Sequence, residues 1–231
     1  AERLKVLHRV LRPGVRFTFD EDAFSRSRGL CTKDCVAPYA IDTGDRRRVK
    51  LCSGTREMWH QCLMVRDFPE WLSDQPVASL TDIKADIIVS VHLRPHAKAE
   101  GLRLVNRKIA EMDMQAIDER RRNRRQHLPE DLLPHDLEES MGQASELRRD
   151  LEHNGDRLMD TLMVIDVAAD TPERLAQVVR EVEATVDGQS CVAESLTYMQ
   201  VEGLNAALPL GNPLPPMRRT LTTSSASILV P

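Results

Sequence analysis

The sequence predicts an α+β domain: a mixed or antiparallel sheet with a split-βαβ, ferredoxin-like core, an inserted long helical hairpin and an additional β-hairpin nearer the N-terminus. Three observations carry this. Asp86–Leu93 sets Ile87, Val89, Val91 and Leu93 against Ser90 and His92, the period of a strand with one buried face. Two apolar stripes at helical spacing follow, separated by breakers around Pro129 and Pro134. A nearly continuous apolar run, a capped helix and a second alternating run then complete the order strand, helical pair, strand, helix, strand.

Residues 1–45 read as a mixed N-terminal segment. Arg3-Leu4-Lys5-Val6-Leu7 is amphipathic and predicts one helix, Pro13-Gly14 predicts a turn, and a Gly- and Cys-containing loop runs through Cys35. Within the main domain, 46–211, Arg48–Cys52 and Met58–Phe68 are strands joined across Ser53-Gly54 and ended by Pro69. Leu102, Val105, Ile109, Met112 and Ala116 share one helical face; Leu137, Met141, Ala144, Leu147, Leu151 and Leu158 share another. These stripes predict an antiparallel hairpin over 97–158.

Met159–Val167 is apolar enough for a central strand covered on both faces. Asp170-Thr171-Pro172-Glu173 caps a helix whose stripe is Leu175, Val178, Val179, Val182 and Val186, with Gly188 after its end. Cys191–Met199 alternates as a last strand, and 212–231 reads as a linker whose apolar end, Ile228-Leu229-Val230, is expected to fray for want of a packing partner.

Composition excludes several functional classes. The chain has 231 residues, 41% of them apolar, enough for one sizeable core without disulfides or metals. A formal net charge of −4 argues against coating nucleic acid or anionic membrane by bulk charge. No run approaches the roughly 18 to 20 apolar residues of a membrane-spanning helix, and the basic, amphipathic start is no secretory signal. Five cysteines in no regular framework fit a reducing compartment, so a cytoplasmic location is expected. Neither Gly-x-x-x-x-Gly-Lys-Ser/Thr nor Gly-x-Gly-x-x-Gly after a strand occurs. With aromatics at 3%, Trp59, Phe68 and Tyr198 do not form the paired base-stacking motifs of an RNA-binding sheet.

The chemistry-bearing side chains mostly have bland readings. Cys31 and Cys35, with Cys52, Cys62, His60, His92 and His96 elsewhere, could be assembled into a metal site, but no Cys-x-x-Cys knuckle or second ligand pair has zinc spacing. Cys62 and Cys191, on strands, read as small buried hydrophobes rather than as members of a Cys–His nucleophile. Asp20 and Asp22 face water without a calcium ligand series. The densest charge cluster is Arg120, Arg121, Arg122, Arg124 and Arg125, at the end of the first long helix. Cations there complement the helix dipole, and they also form a candidate docking patch for an acidic protein surface, anionic lipid or DNA.

Several blocks together resemble one family. They are Leu7-His8-Arg9-Val10, Cys31-Thr32-Lys33-Asp34-Cys35-Val36-Ala37-Pro38, Asp86–Leu93, Asn106-Arg107-Lys108-Ile109, Gly203–Gly211 and Arg219-Thr220-Leu221-Thr222-Thr223-Ser224-Ser225. In order and spacing they are similar to the large conjugative-transfer ATPases of type IV secretion systems, the VirB/TraC/TrbE family, above all those on mobile elements of Gram-positive bacteria.

The resemblance implies an N-terminal α/β adaptor domain, to be followed by a RecA-like motor that binds ATP and Mg. Arg218, Arg219, Thr220, Leu221, Thr222 and Thr223 would belong to the linker to that motor. None of the family's nucleotide-binding or catalytic residues has a matching position here, so no catalytic, cofactor or metal residue is assigned within the chain. The implied partners are other subunits of the same ATPase, in a homo-oligomer, and inner-membrane secretion components at the inner face of the cell membrane. A free-standing nucleic-acid-binding or regulatory α+β domain is the alternative.

Overall fold

The computed structural model describes residues 2–229 apart from 28, 55, 70–75, 130–131 and 213–216. Val230 and Pro231, part of the expected frayed end, lie outside the described residues. The fold is mixed α/β with a seven-stranded antiparallel sheet. The chain divides into two compact units, 1–92 with 161–219 and 228–231, and 93–160 with 220–227.

The first unit opens with helix α1 (Glu2–Leu11) and two short helices, α2 (Glu21–Arg26) and α3 (Thr32–Val36). Strands β1 (Ala40–Asp42), β2 (Val49–Ser53) and β3 (Arg56–Asp67) then form an antiparallel meander, the last two joined through Gly54 at φ 69°. Helix α4 (Pro76–Thr81) follows, and β4 (Asp86–Pro95) is the strand its sequence predicts, but without the expected buried face: residues 87–92 are all half-buried and Leu93 is exposed. Strand β5 (Leu158–Ala169) is the expected central strand, buried from Thr161 through Val167. It is followed by α7 (Pro172–Gly188), where the Thr171 hydroxyl accepts the Arg174 amide at 3.2 Å. Strand β6 (Val192–Ser195) is shorter than the Cys191–Met199 run predicts, because helix α8 (Gln200–Ala207) begins just after it.

Strand order is β1-β2-β3-β5-β4, with β6 also on β3 and the short β7 (Arg219–Thr222) also on β5. Strand β3 is therefore shared. One edge pairs with β2 up to His60 and with β6 from Leu63, while the other pairs with β5. Its period-2 burial splits the core into two layers. Cys62 and Met64, with Leu162 and Val164 of β5, face α8 and the apolar side of α1. Leu63, Val65, Met163, Ile165 and Val167 occupy the opposite face, where α7 packs with Val178, Val179 and Val182 buried.

The second unit is built on α5 (Lys98–Arg125, 28 residues) and α6 (His135–His153, 19 residues), packed together as a hairpin. Their shared core is small: Leu102, Val105 and Ile109 of α5 meet Leu147 and Leu151 of α6, with Leu158 beneath. Leu158, expected on the second helix, is the first residue of β5. It packs beside Gly101, where a Cβ would meet the Leu158 side chain at an ordinary 3.5 Å.

The C-terminal segment corrects the frayed-tail expectation. Residues 219–227 form β7 and helix α9 (Thr223–Ser227), and Leu229 is fully buried. Thr223 donates its amide to the Arg157 carbonyl at 2.9 Å, and the Ser224 hydroxyl donates to Asp156 at 3.2 Å. Hydrogen bonds to the loop before β5 thus order a stretch whose side chains offer little apolar area.

Gly203 of α8 is where helix and sheet approach most closely. A Cβ at this position would lie 2.7 Å from Cβ of Cys62 and 2.7 Å from Cδ1 of Leu196. Gly203→Ala is expected to cost about 1–3 kcal/mol by overpacking, although alanine favours helix, and to lower the denaturant midpoint. An unchanged or raised midpoint would disprove the contact.

Candidate functional site

The most chemically loaded cluster lies in the first unit, on the α1/α8 face of β3 and β5. In the antiparallel register Cys62 stands opposite Asp166 and His60 opposite Ala168. His60 and Cys62, two residues apart, share a face, so Asp166 can reach both, one directly and one diagonally. His60 Nδ1 lies 2.9 Å from Asp166 Oδ2, and the Cys62 thiol donates to Asp166 Oδ1 at 3.3 Å. His60 and Asp166 are each 1% exposed, so the ion pair is in the interior.

Gln200 completes the cluster. Cys62 sits in the gap between the ends of β2 and β6, where β3 lacks a strand on that edge. The Gln200 side chain fills the gap, accepting the Cys62 amide at 2.7 Å and donating to the Cys62 carbonyl at 3.2 Å. These two bonds tie the start of α8 to β3, and the amide also donates to the Leu196 carbonyl, just after β6, at 3.0 Å. An amide side chain here substitutes for a neighbouring strand.

Electrostatics set the protonation states. Burial disfavours the His60 imidazolium, but the charge and hydrogen bond of Asp166, with the charge of Asp86, outweigh it and raise the pKa above the usual histidine value. Burial and the Asp166 carboxylate hold the Cys62 thiol protonated, far above the ordinary range. Cys62 is therefore a proton donor to Asp166 rather than a thiolate. His60 Nε2 is buried without a hydrogen-bond partner, the one such side-chain atom among the described residues.

The remaining metal candidates do not converge. Cys31 is exposed and Cys35 half-buried around α3, while Cys52 is half-buried on β2. His92 Nε2 lies 2.7 Å from the Ala206 carbonyl, and His96 Nε2 lies 2.8 Å from Asp160 Oδ1 in the second unit. Among the described residues, no three His, Cys, Asp or Glu side chains form a metal-binding group.

The five arginines gather on the last turns of α5, all exposed. Arg121 pairs with Asp118 at 3.5 Å and Arg122 with Glu119 at 3.6 Å, so acidic residues one turn earlier offset part of the charge. Asn123 among them is buried and donates to the Leu132 carbonyl, fastening the end of α5 to the following loop. Of the residues expected in a linker, Arg219 is an ion-pair partner of Asp67 and Thr220–Thr222 belong to β7. Among the described residues, no helix is long and apolar enough to cross a membrane.

Sequence reasoning passed over Asp166, inside an otherwise apolar run, and Gln200. The signal for Asp166 was available: a carboxylate in a strand covered on both faces requires a buried partner.

Two measurements follow from these protonation states. Brief iodoacetamide treatment of native protein should modify Cys31 while Cys62 and Cys191 react only after unfolding; prompt labelling of Cys62 would contradict its burial. His96, whose pKa is raised chiefly by its hydrogen bond to Asp160, contributes stability that is full below its ordinary value of 6.5 and is lost as pH rises through its higher folded value. His96→Gln should remove that part of the stability decline above pH 6.5, read by denaturant midpoints across pH, and an identical pH profile would remove the linkage.

Compared with models of known protein families the chain matches none, and no curated protein sequence matches it.

Proposed function

We propose that this chain is the non-catalytic assembly domain of a conjugative-transfer ATPase of the VirB/TraC/TrbE type, which docks on other copies of the ATPase and on inner-membrane secretion components. On this reading ATP and Mg are handled by a RecA-like motor encoded downstream, at the inner face of the cell membrane. The strand order β6-β3-β5-β4, with α4 and α7 in contact as the two crossing helices, supports a split-βαβ, ferredoxin-like core. In that frame α5 and α6 are an insertion between the second and third core strands.

The observation that carries the docking role is the outward apolar surface of the hairpin. Its shared core ends near Ile109 and Leu147, yet α5 continues to Arg125 with Met114 68% and Ile117 46% exposed. Burying such a side chain is worth about 1.5–3 kcal/mol, a gain this helix pair leaves to a partner. The arginine-rich end adds steering toward an acidic surface.

Replacing residues 97–157 by a short linker in the full-length protein should preserve the sheet's circular dichroism and cooperative unfolding while abolishing co-purification with the secretion components. Retained co-purification would refute the docking role. The coding sequence after Pro231 must also contain a Walker A motif, and its absence would end the motor reading.

A further inference from the structure

Strand β4 ends the strand order, paired with β5, and among the described residues no strand lies on its outer edge. At 10 residues it is long for an edge. Ile87 through His92 are each half-buried, and Leu93 is 37% exposed. One face has partial cover, since Ile88 lies against the core shared with α8 and His92 meets the Ala206 carbonyl.

An edge strand presents a row of unpaired N–H and C=O groups, and folds that keep such an edge single place lysine, proline, a bulge or an inward charge along it. Between Ile87 and Leu93, β4 has no charged residue, proline or glycine: it is Ile87, Ile88, Val89, Ser90, Val91, His92 and Leu93. Formal charge stands only at the ends. Asp86 and Arg94 are both exposed, and neither has an ion pair among the described residues.

This arrangement is self-complementary. Two copies of β4 related by a two-fold axis run antiparallel, and the symmetry admits only registers in which one residue faces itself, because a pair and its symmetry equivalent must be of the same hydrogen-bonding type. With Ser90 on the axis, Asp86 faces Arg94 of the second copy, Ile87 faces Leu93 and Val89 faces Val91, each pair occurring twice. One face of the joined strands is then aliphatic throughout, and both ends close on opposite charges. Moving the axis to Val89 carries Arg94 toward Lys84, and moving it to Val91 sets Arg94 against Ile88. Charge therefore selects one register.

We infer that the outer edge of β4 is an interface for a second copy of this chain: two β4 strands pair antiparallel about Ser90, joining two sheets into one, with Asp86 of each copy against Arg94 of the other. The occupant is the chain itself rather than a foreign strand, because the match in charge and side-chain type is to β4 read in reverse. This names a contact between copies within the assembly role proposed above and rests on that reading for its purpose, while drawing on no residue of α5 or α6.

Sedimentation velocity of the full chain across the micromolar range should show a monomer–dimer equilibrium. Asp86→Arg and Arg94→Asp each set like charges together at both ends of the interface and should weaken the dimer about tenfold, whereas the double variant restores it. Circular dichroism checks that each variant folds. Ser90→Cys, on the axis, should give a disulfide-linked dimer under mild oxidation, mapped to position 90 by mass spectrometry, and Ile88→Cys should not. That pair decides the register even if a charge reversal fails to fold. A monomer throughout, a dimer indifferent to both reversals, or no rescue in the double variant would overturn the inference. So would a monomer whose co-purification with a secretion component is lost in Arg94→Asp, which gives the edge to a different protein. A monomer that still co-purifies through the hairpin sinks the strand pairing and leaves the docking role standing; a dimer without hairpin-dependent co-purification does the reverse.

Discussion

A single buried carboxylate constrains the first unit. Asp166 sits in the middle of β5 with hydrophobic neighbours on both sides, and leaving it unpaired there would cost several kcal/mol. Its two oxygens are taken separately, one by His60 and one by Cys62, and both partners lie on β3. That division works only in the observed register, because a slip of one residue would turn His60 and Cys62 to the α7 face. The polar cluster thus specifies the pairing of the two central strands, while Val164, Ile165 and Val167 supply most of the burial.

Helix α8 closes the same cluster through two residues that act differently. Gln200 replaces a missing strand at Cys62, and Gly203 permits the approach that keeps the amide within reach. Leu204, Ala206 and Ala207 then bury against β2, β3 and β5. The segment from Gly203 therefore begins packed on Cys62 and Leu196. A short helix with a modest apolar stripe is stable here because tertiary contacts and one bidentate amide fix it.

What was legible in the sequence follows the strength of its periodicity. β5, α5 and α7 are long or sharply patterned, and their cores are those the patterns mark: Val178 and Val182 on α7, Val105 on α5, Val164 on β5; β4 forms as a strand but buries no face. Short elements held by tertiary contacts were not legible. β1 has three exposed residues, α8 lies just beyond a run that alternates like a strand, and β7 with α9 is fixed by hydrogen bonds to Arg157 and Asp156. His60 and Cys62 were visible as candidates, but their true partner was obscured because Asp166 reads as a lone interruption of a hydrophobic strand. The missing knowledge was the register of β3 on β5, a long-range fact that no local pattern encodes.

The two units bury their polar groups differently. In the first, charge is buried where it is paired, and the one buried side-chain polar atom without a partner among the described residues is Nε2 of His60, whose ring Asp166 holds through Nδ1. A polar atom desolvated without a partner is tolerated when surrounding packing is strong enough to carry the cost, as it is around β3 and β5. In the second, the shared core is six side chains at the base of the hairpin, and the rest of α5 keeps its form through its own hydrogen bonds, Ala116 and the Asn123 contact. That leaves Met114 and Ile117 exposed on the outer part of α5. The polar network of the first unit and the exposed apolar run of α5 therefore draw on separate sets of core residues.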